Sequence, residues 1–271
     1  MASDYAIILT SEVKIMEKIV SLQNGRVKTW KKLATKKGRE QQQTYLLDGW
    51  HLVKEAIGAG TTLVSVMGTH EAWREYRDEL PANLNAFEIS DEVAKTIGDT
   101  VTPQGIFAEV KMPATSTTLP EVVHQPWVFL DAVQDPGNIG TIVRTADAAG
   151  FEGVVFGHGT ADQFSPKVVR AMQGSQFHVK LVSEDLFSAT RYFKRSGIEV
   201  YGTQLNPEAK NYRELKPKGA FGLIMGNEGN GMTPALGDVT TANLYIPILG
   251  QAESLNVAIA AGVLMFRLKE Q

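Results

Sequence analysis

From Trp127 onward, short and almost wholly apolar runs alternate with helix-like stretches, and this alternation leaves few folds open to the chain. The runs are 127–133 (WVFLDAV), 153–157 (GVVFG), 177–182 (FHVKLV), 198–204 (IEVYGTQ), 221–226 (FGLIMG) and 244–249 (LYIPIL). Several lack the alternation of a strand with one wet face. Strands covered by helices on both faces look like this, so the pattern predicts a mostly parallel sheet flanked by helices. Helices are predicted at 139–149, 166–174, 184–196 and 255–268. The last, LNVAIAAGVLMFRL, is apolar around most of its circumference. It must be covered on more than one side, within its own domain or by a second subunit.

The segment 112–126 (MPATSTTLPEVVHQP) is rich in Pro, Thr and Ser and has no regular period. It reads as a linker. The chain then divides into an N-terminal domain over 1–112, a connection over 113–126 and a larger α/β domain over 127–271. The N-terminal part repeats the strand–helix alternation on a smaller scale. Strands are predicted at 45–49, 62–68, 85–90 and 105–111, and helices at 51–60, 71–80 and 91–98, with Ser90 as N-cap of the last. A basic helical region over about 14–39 precedes them.

Charge is distributed unevenly. The net charge is −3, yet residues 14–60 hold ten Lys/Arg against four Asp/Glu. Between Arg26 and Arg39 there are seven cations and no acid. A basic region on an acidic body suits a polyanionic partner; a solvated helix face is the plainer alternative. No apolar run approaches the length of a membrane span, and the N-terminus lacks the basic segment of a secretory signal. The absence of cysteine fits a cytoplasmic protein and removes thiol nucleophiles and cysteine-ligated zinc. Five scattered histidines lack ligand spacing, so no catalytic metal is expected.

Three stretches concentrate chemistry: DPGNIGTIVRTADAAG (135–150), MGNEGNGM (225–232) and IPILGQAESLNVAIAAG (246–262). Each joins a strand end to a glycine- and amide-rich turn. In open parallel sheets, ligands sit outside the carboxyl ends of strands, where such turns meet helix N-termini. Asn138 and Gly140 open one helix, with Arg144 six residues beyond Asn138. A helix start flanked by Arg suits a phosphate, whereas an ion pair of Arg144 with Asp147 at i,i+3 is the structural alternative. The 226–231 turn, GNEGNG, matches neither a dinucleotide fingerprint nor a phosphate-binding loop ending in Lys-Ser/Thr. Glu228 within it can bind a cation or a hydroxyl. Ser254 and Asn256 bracket Leu255, and Ser254 is the expected N-cap of the last helix.

Together the three motifs resemble the SpoU (TrmH-like) branch of the SPOUT methyltransferases, which methylate RNA ribose 2′-hydroxyls. The resemblance covers 126–271 through Asn138, Gly140, Arg144 and Ala146, then Gly226, Asn227, Glu228 and Gly229, then Ile246, Pro247, Ser254, Leu255, Asn256 and Val257. Ile248, where many members carry Met, is a mild exchange. TPQGI (102–106) and the unit before it resemble the substrate-binding domain that precedes many members.

The resemblance implies a trefoil-knotted C-terminal α/β domain, a homodimer packed through the knotted regions, and S-adenosylmethionine as cofactor. It implies Thr203, Gly226, Asn227, Ile246 and Leu255 as cofactor-binding residues. It also implies Arg144 as the group that activates the ribose, oriented with the substrate by Asn138, Glu228, Ser254 and Asn256. Because a free guanidinium holds its proton tightly, a clamp on a phosphate or on the developing alkoxide stands beside a role as base. Large-subunit (23S) ribosomal RNA is the expected substrate. Transfer RNA, or a non-catalytic RNA-binding or ribosome-assembly role on the same fold, are the alternatives; a nicotinamide-dependent oxidoreductase lacks its glycine fingerprint.

Overall fold

A computed structural model describes residues 16–269 apart from 82, 101 and 115–118. The signal-sequence reading and the first two residues of the basic region therefore lie outside the described residues. The remainder forms two sheets, one from residues 17–111 and one from 127–245.

The N-terminal sheet begins with a strand where a helix was expected. Glu17–Ile19 (β1) pairs with Ala86–Ile89 (β4) at the sheet edge. Three residues, only one of them buried, carry too little pattern to announce a strand. Two short helices follow, Gly25–Lys32 (α1) and Lys36–Gln42 (α2). Asn24 caps the first by accepting from Arg26 N at 2.8 Å, and Thr35 caps the second by accepting from Gly38 N at 3.1 Å. Gly38 is required at their junction, because a Cβ there would lie 2.0 Å from the Lys32 carbonyl oxygen.

Next come Thr44–Asp48 (β2), Trp50–Gly58 (α3), Leu63–Gly68 (β3), His70–Tyr76 (α4), Asp91–Ile97 (α5) and Ile106–Lys111 (β5). Ser90 caps α5 as expected, accepting from Val93 N at 3.3 Å. The order β1-β4-β3-β5-β2 is mixed: β5 runs antiparallel to both β3 and β2, while the β4 pairings are parallel.

The C-terminal sheet comprises Trp127–Leu130 (β6), Gly153–Phe156 (β7), Lys180–Ser183 (β8), Glu199–Gly202 (β9), Lys210–Asn211 (β10), Phe221–Met225 (β11) and Ala242–Tyr245 (β12). Its order is β10-β12-β9-β11-β6-β7-β8, and every pairing is parallel. β6, β7 and β11 are buried along their whole length, as strands covered on both faces must be. Pro136–Ala148 (α6), Pro166–Met172 (α7), Leu186–Arg195 (α8), Pro234–Val239 (α9) and Val257–Lys269 (α10) cover it. Gly140 lets α6 press on α7, since a Cβ would come within 2.3 Å of that of Ala171. The apolar run 244–249 leaves the sheet after Tyr245; Pro247 has no N–H to continue a ladder. Among the described residues no helix is long and apolar enough to cross a membrane.

The two sheets share one apolar core. Tyr45 packs on Phe164 with ring centroids 5.1 Å apart. Polar ties cross the same seam. Arg39, whose side chain is 4% exposed, pairs with Asp162 at 2.5 Å, and Arg170 pairs with Asp99 at 2.9 Å. His178 sits between Glu55 of α3 and Asp147 of α6, at 3.3 and 3.0 Å. Asp147 is therefore committed to His178, and the i,i+3 pair with Arg144 does not form.

Candidate active site

At the carboxyl ends of β9, β11 and β12, three loops converge on a cleft of about 920 Å³. This is within the range of small-molecule sites, roughly 300–1,000 Å³. Met225, Leu244, Val257, Ala260 and Leu264 make its apolar floor, while the chain at 226–229, 245–248 and 253–256 provides polar main-chain walls. Thr203, Gly226, Asn227, Ile246 and Leu255, expected to hold a cofactor, all line it, as do Glu228, Ser254 and Asn256.

The 226–231 turn is fixed from within. Asn227 and Gly231 exchange backbone hydrogen bonds of 2.9 Å in both directions. The Asn227 side chain accepts from the N–H groups of Gly229 and Asn230, each at 3.0 Å, and donates to the Ala132 carbonyl at 2.7 Å. Gly226 cannot carry a side chain, because a Cβ would lie 2.2 Å from Met232 N. The turn thus presents Glu228 to the loop after β6. Glu228 accepts from Gln134 N at 3.2 Å, Asp135 N at 3.1 Å and Asn138 Nδ2 at 3.1 Å. Burial pushes its carboxyl up, but the Asn138 and backbone donors together outweigh this and hold it below the usual glutamate value. Glu228 is therefore an ionised anchor for the 134–138 loop.

The network continues to the third motif. Asn256 Nδ2 donates to Asn138 Oδ1 at 2.9 Å, while Asn256 Oδ1 accepts from Ala258 N at 2.9 Å and Ile259 N at 3.2 Å. Asn256, not Ser254, caps α10. Ser254 is exposed in the cleft wall, two residues too early to reach the first free N–H groups. Asp135, unremarked in the sequence, caps α6 by accepting from Asn138 N at 2.8 Å, with Pro136 at the first helical position. Asp131 was missed as well. Buried at the end of β6, it accepts from Thr233 N at 2.6 Å and ties the first loop to α9. An Asp before Pro-Gly signals the first cap; nothing local signals the second.

Asn138, Glu228 and Asn256 are thus brought together, and Arg144 is not. Six residues on, it lies roughly a third of a turn around α6 and about 9 Å further along. It is exposed, does not line the cleft, and makes no hydrogen bond or ion pair among the described residues. Arg144 therefore takes no part in the hydrogen-bond network that joins these three amide and carboxylate groups.

Residues 125–266 match the SpoU rRNA Methylase family, and residues 24–108 match the MRM3-like substrate binding domain. The chain is 42% identical over 254 residues to the 23S rRNA (guanosine(2553)-2′-O)-methyltransferase RlmP of Bacillus subtilis, covering 94% of this chain and 100% of that one. Among solved structures, the AdoMet-bound rRNA methyltransferase from Sinorhizobium meliloti superposes with a TM-score of 0.83 at 30% identity, covering 94% of this chain and 98% of the other. An RNA 2′-O ribose methyltransferase gives 0.77 at 28% identity, with the same coverage.

Proposed function

This chain belongs to the SpoU rRNA methylase family, and from that membership we propose that it moves a methyl group from S-adenosylmethionine to a ribose 2′-hydroxyl of 23S ribosomal RNA. The observation that carries the reading is the chain of hydrogen bonds Asn256–Asn138–Glu228, which joins two cleft-lining residues through the start of α6. It locks three sequence-distant motifs around one small-molecule site. As an enzyme of ribosomal RNA, the protein is placed in the cytoplasm.

The cleft fits the cofactor: Met225, Leu244, Val257 and Leu264 suit a purine, and Thr203, Asn227 and Ser254 suit its polar ends. Thr203, Gly226, Asn227, Ile246 and Leu255 would hold it. When bound, it supplies an electrophilic methyl group on a sulfonium. The protein's share of the reaction is chiefly alignment, worth about 7–11 kcal/mol where geometry is favourable. Glu228 fixes the 134–138 loop, and Asn138 is held at both ends of its amide so that the ribose meets one rigid surface. Ser254, exposed in the wall, is placed to meet the incoming sugar.

Arg144 is assigned to the site of a second copy. α10 leaves Ile259, Val263 and Phe266 exposed at 56%, 37% and 47%, and Leu255 and Ile248 on the cleft wall continue that apolar surface. A second copy covering this surface would roof the cleft and bring its own α6 alongside. Arg144 then acts as a clamp on phosphate or developing alkoxide. The deep knot belongs to the segment from β9 to α10; the packing of α10 back onto α6 is compatible with it. The domain boundary falls within 113–126. RNA is recruited by the exposed cations of α1 and α2, with Arg39 excluded because Asp162 already occupies it.

The test is transfer of labelled methyl from the cofactor to 23S RNA lacking the modification, mapped as a nucleotide resistant to alkaline cleavage. Arg144→Ala is expected to lower transfer at least roughly 100-fold, the scale of losing one charge-stabilising donor, with cofactor affinity little changed. Equal loss of both would overturn the assigned role.

A further inference from the structure

A second cavity, of about 280 Å³, is enclosed at the seam between the two sheets and shares no residue with the cofactor cleft. Leu46, Leu52, Ile97, Pro166 and Val169 give it apolar walls drawn from both sheets' surroundings. Four charged residues line it: Lys31, Asp48, Asp99 and Arg170. Asp99 and Arg170 are engaged with each other at 2.9 Å. Lys31 and Asp48 are the uncommitted pair.

Asp48 Oδ2 accepts from Asp99 N at 3.2 Å, and the Thr100 side chain is its other nearby donor. Burial raises the Asp48 carboxyl above its ordinary value, against the Asp99 N–H and the Arg170 charge. Gly98 keeps the approach open, since a Cβ would stand 3.2 Å from Asp48 Oδ2. A desolvated carboxylate calls for N–H donors, and apolar walls call for a flat ring. The volume falls just under the usual ligand range of about 300–1,000 Å³, which suits one heterocycle. Lys31 stands at the rim, in the last turn of the basic helix α1.

We propose that this cavity takes one unstacked, amino-bearing base of the RNA substrate, with Asp48 accepting from its N–H edge and Lys31 pairing with its phosphate. Protein recognition of RNA sequence commonly works on such splayed bases. Guanine, adenine and cytosine carry the amino group; uracil lacks it. The proposal rests on the RNA-methylation reading for the identity of its occupant. A free nucleoside shares the chemistry, so the experiment separates the two.

The test compares full-length wild type with Asp48→Asn, which keeps the acceptor for Asp99 N but loses the charge, and Ala34→Trp, which closes the exposed rim. Filter retention gives Kd for 23S RNA, and steady-state transfer gives KM and kcat. Both variants are expected to raise Kd and KM roughly tenfold, the usual scale for one base-reading contact, with kcat at saturating RNA and cofactor affinity unchanged. Unchanged Kd in both variants overturns the proposal. Guanosine that raises the Tm of wild type but not of the variants, while RNA Kd stays the same, assigns the cavity to a free nucleoside and overturns it too. Wild type that binds RNA but transfers no methyl sinks the enzymatic reading, while the Kd comparison still decides the cavity.

Discussion

Asn256 uses the two ends of one amide for different purposes: its oxygen caps α10 and its nitrogen steadies Asn138. Substitutions can separate them. Asn256→Asp keeps a good cap acceptor but loses the donor to Asn138, and it faces that oxygen with a carboxylate. Its Tm should stay near wild type while methyl transfer falls roughly tenfold, the scale of one lost hydrogen bond. Asn256→Ala loses both, and its Tm should fall by about 2–4 °C for a cap worth about 1 kcal/mol. Full activity in Asn256→Asp would show that the link to Asn138 does not matter. Sequence reading placed Asn256 at the site but gave the cap to Ser254. The choice turns on where helical hydrogen bonding begins, which pattern fixes only to within a few residues.

At the scale of elements, α6 joins chemistry to domain docking. Its first turn holds Asn138, and its last turn holds Asp147, which engages His178 opposite Glu55 of α3. The hydrogen bond to Asp147, with the Glu55 charge beyond it, raises the His178 pKa against a smaller opposing effect of burial. Both ring nitrogens can donate only when the imidazole is protonated. A raised folded-state pKa means the bridge stabilises fully below the unfolded value of about 6.5 and is lost as pH rises through the folded value. His178→Gln should therefore lower the Tm at pH 6 and leave it unchanged at pH 9. Because His178 is nearly half exposed, the difference will be small. A Tm gap that persists at pH 9 would mean the ring acts by packing alone.

For the whole molecule, the proposed dimer rests on the apolar stripe of α10, where Ile259, Val263 and Phe266 are exposed. Glutamate at Ile259 and Phe266 together should convert a dimer to a monomer by light scattering and remove methyl transfer, while the isolated chain stays folded. A further experiment distinguishes assembly from shared sites. Mixed dimers of Arg144→Ala with a chain disabled in the cleft by Ser254→Trp, a change at an exposed position of the cleft wall, should regain activity if Arg144 serves the opposite cleft. They should stay inactive if each chain uses its own.

Sequence by itself determined the elements that make chemistry and core. All-apolar strands, capped helix starts and glycine turns are local signals, so β6, β7, β11, α5 and α6 were legible, as was the gathering of Thr203, Gly226, Asn227, Ile246 and Leu255 around one cleft. Short or edge elements were not: β1 and β10 bury too little to leave a pattern, and α9 (PALGDV) has few helix-favouring residues. Tertiary structure alone decided which long-range partners each polar group found. Arg39 went to Asp162 rather than to solvent, Asp147 to His178 rather than to Arg144, and Asn138 to residues about 90 and 118 positions away. Such pairings depend on how sheets and helices stack in space, and the helical or strand period that marks an element carries no record of what will face it.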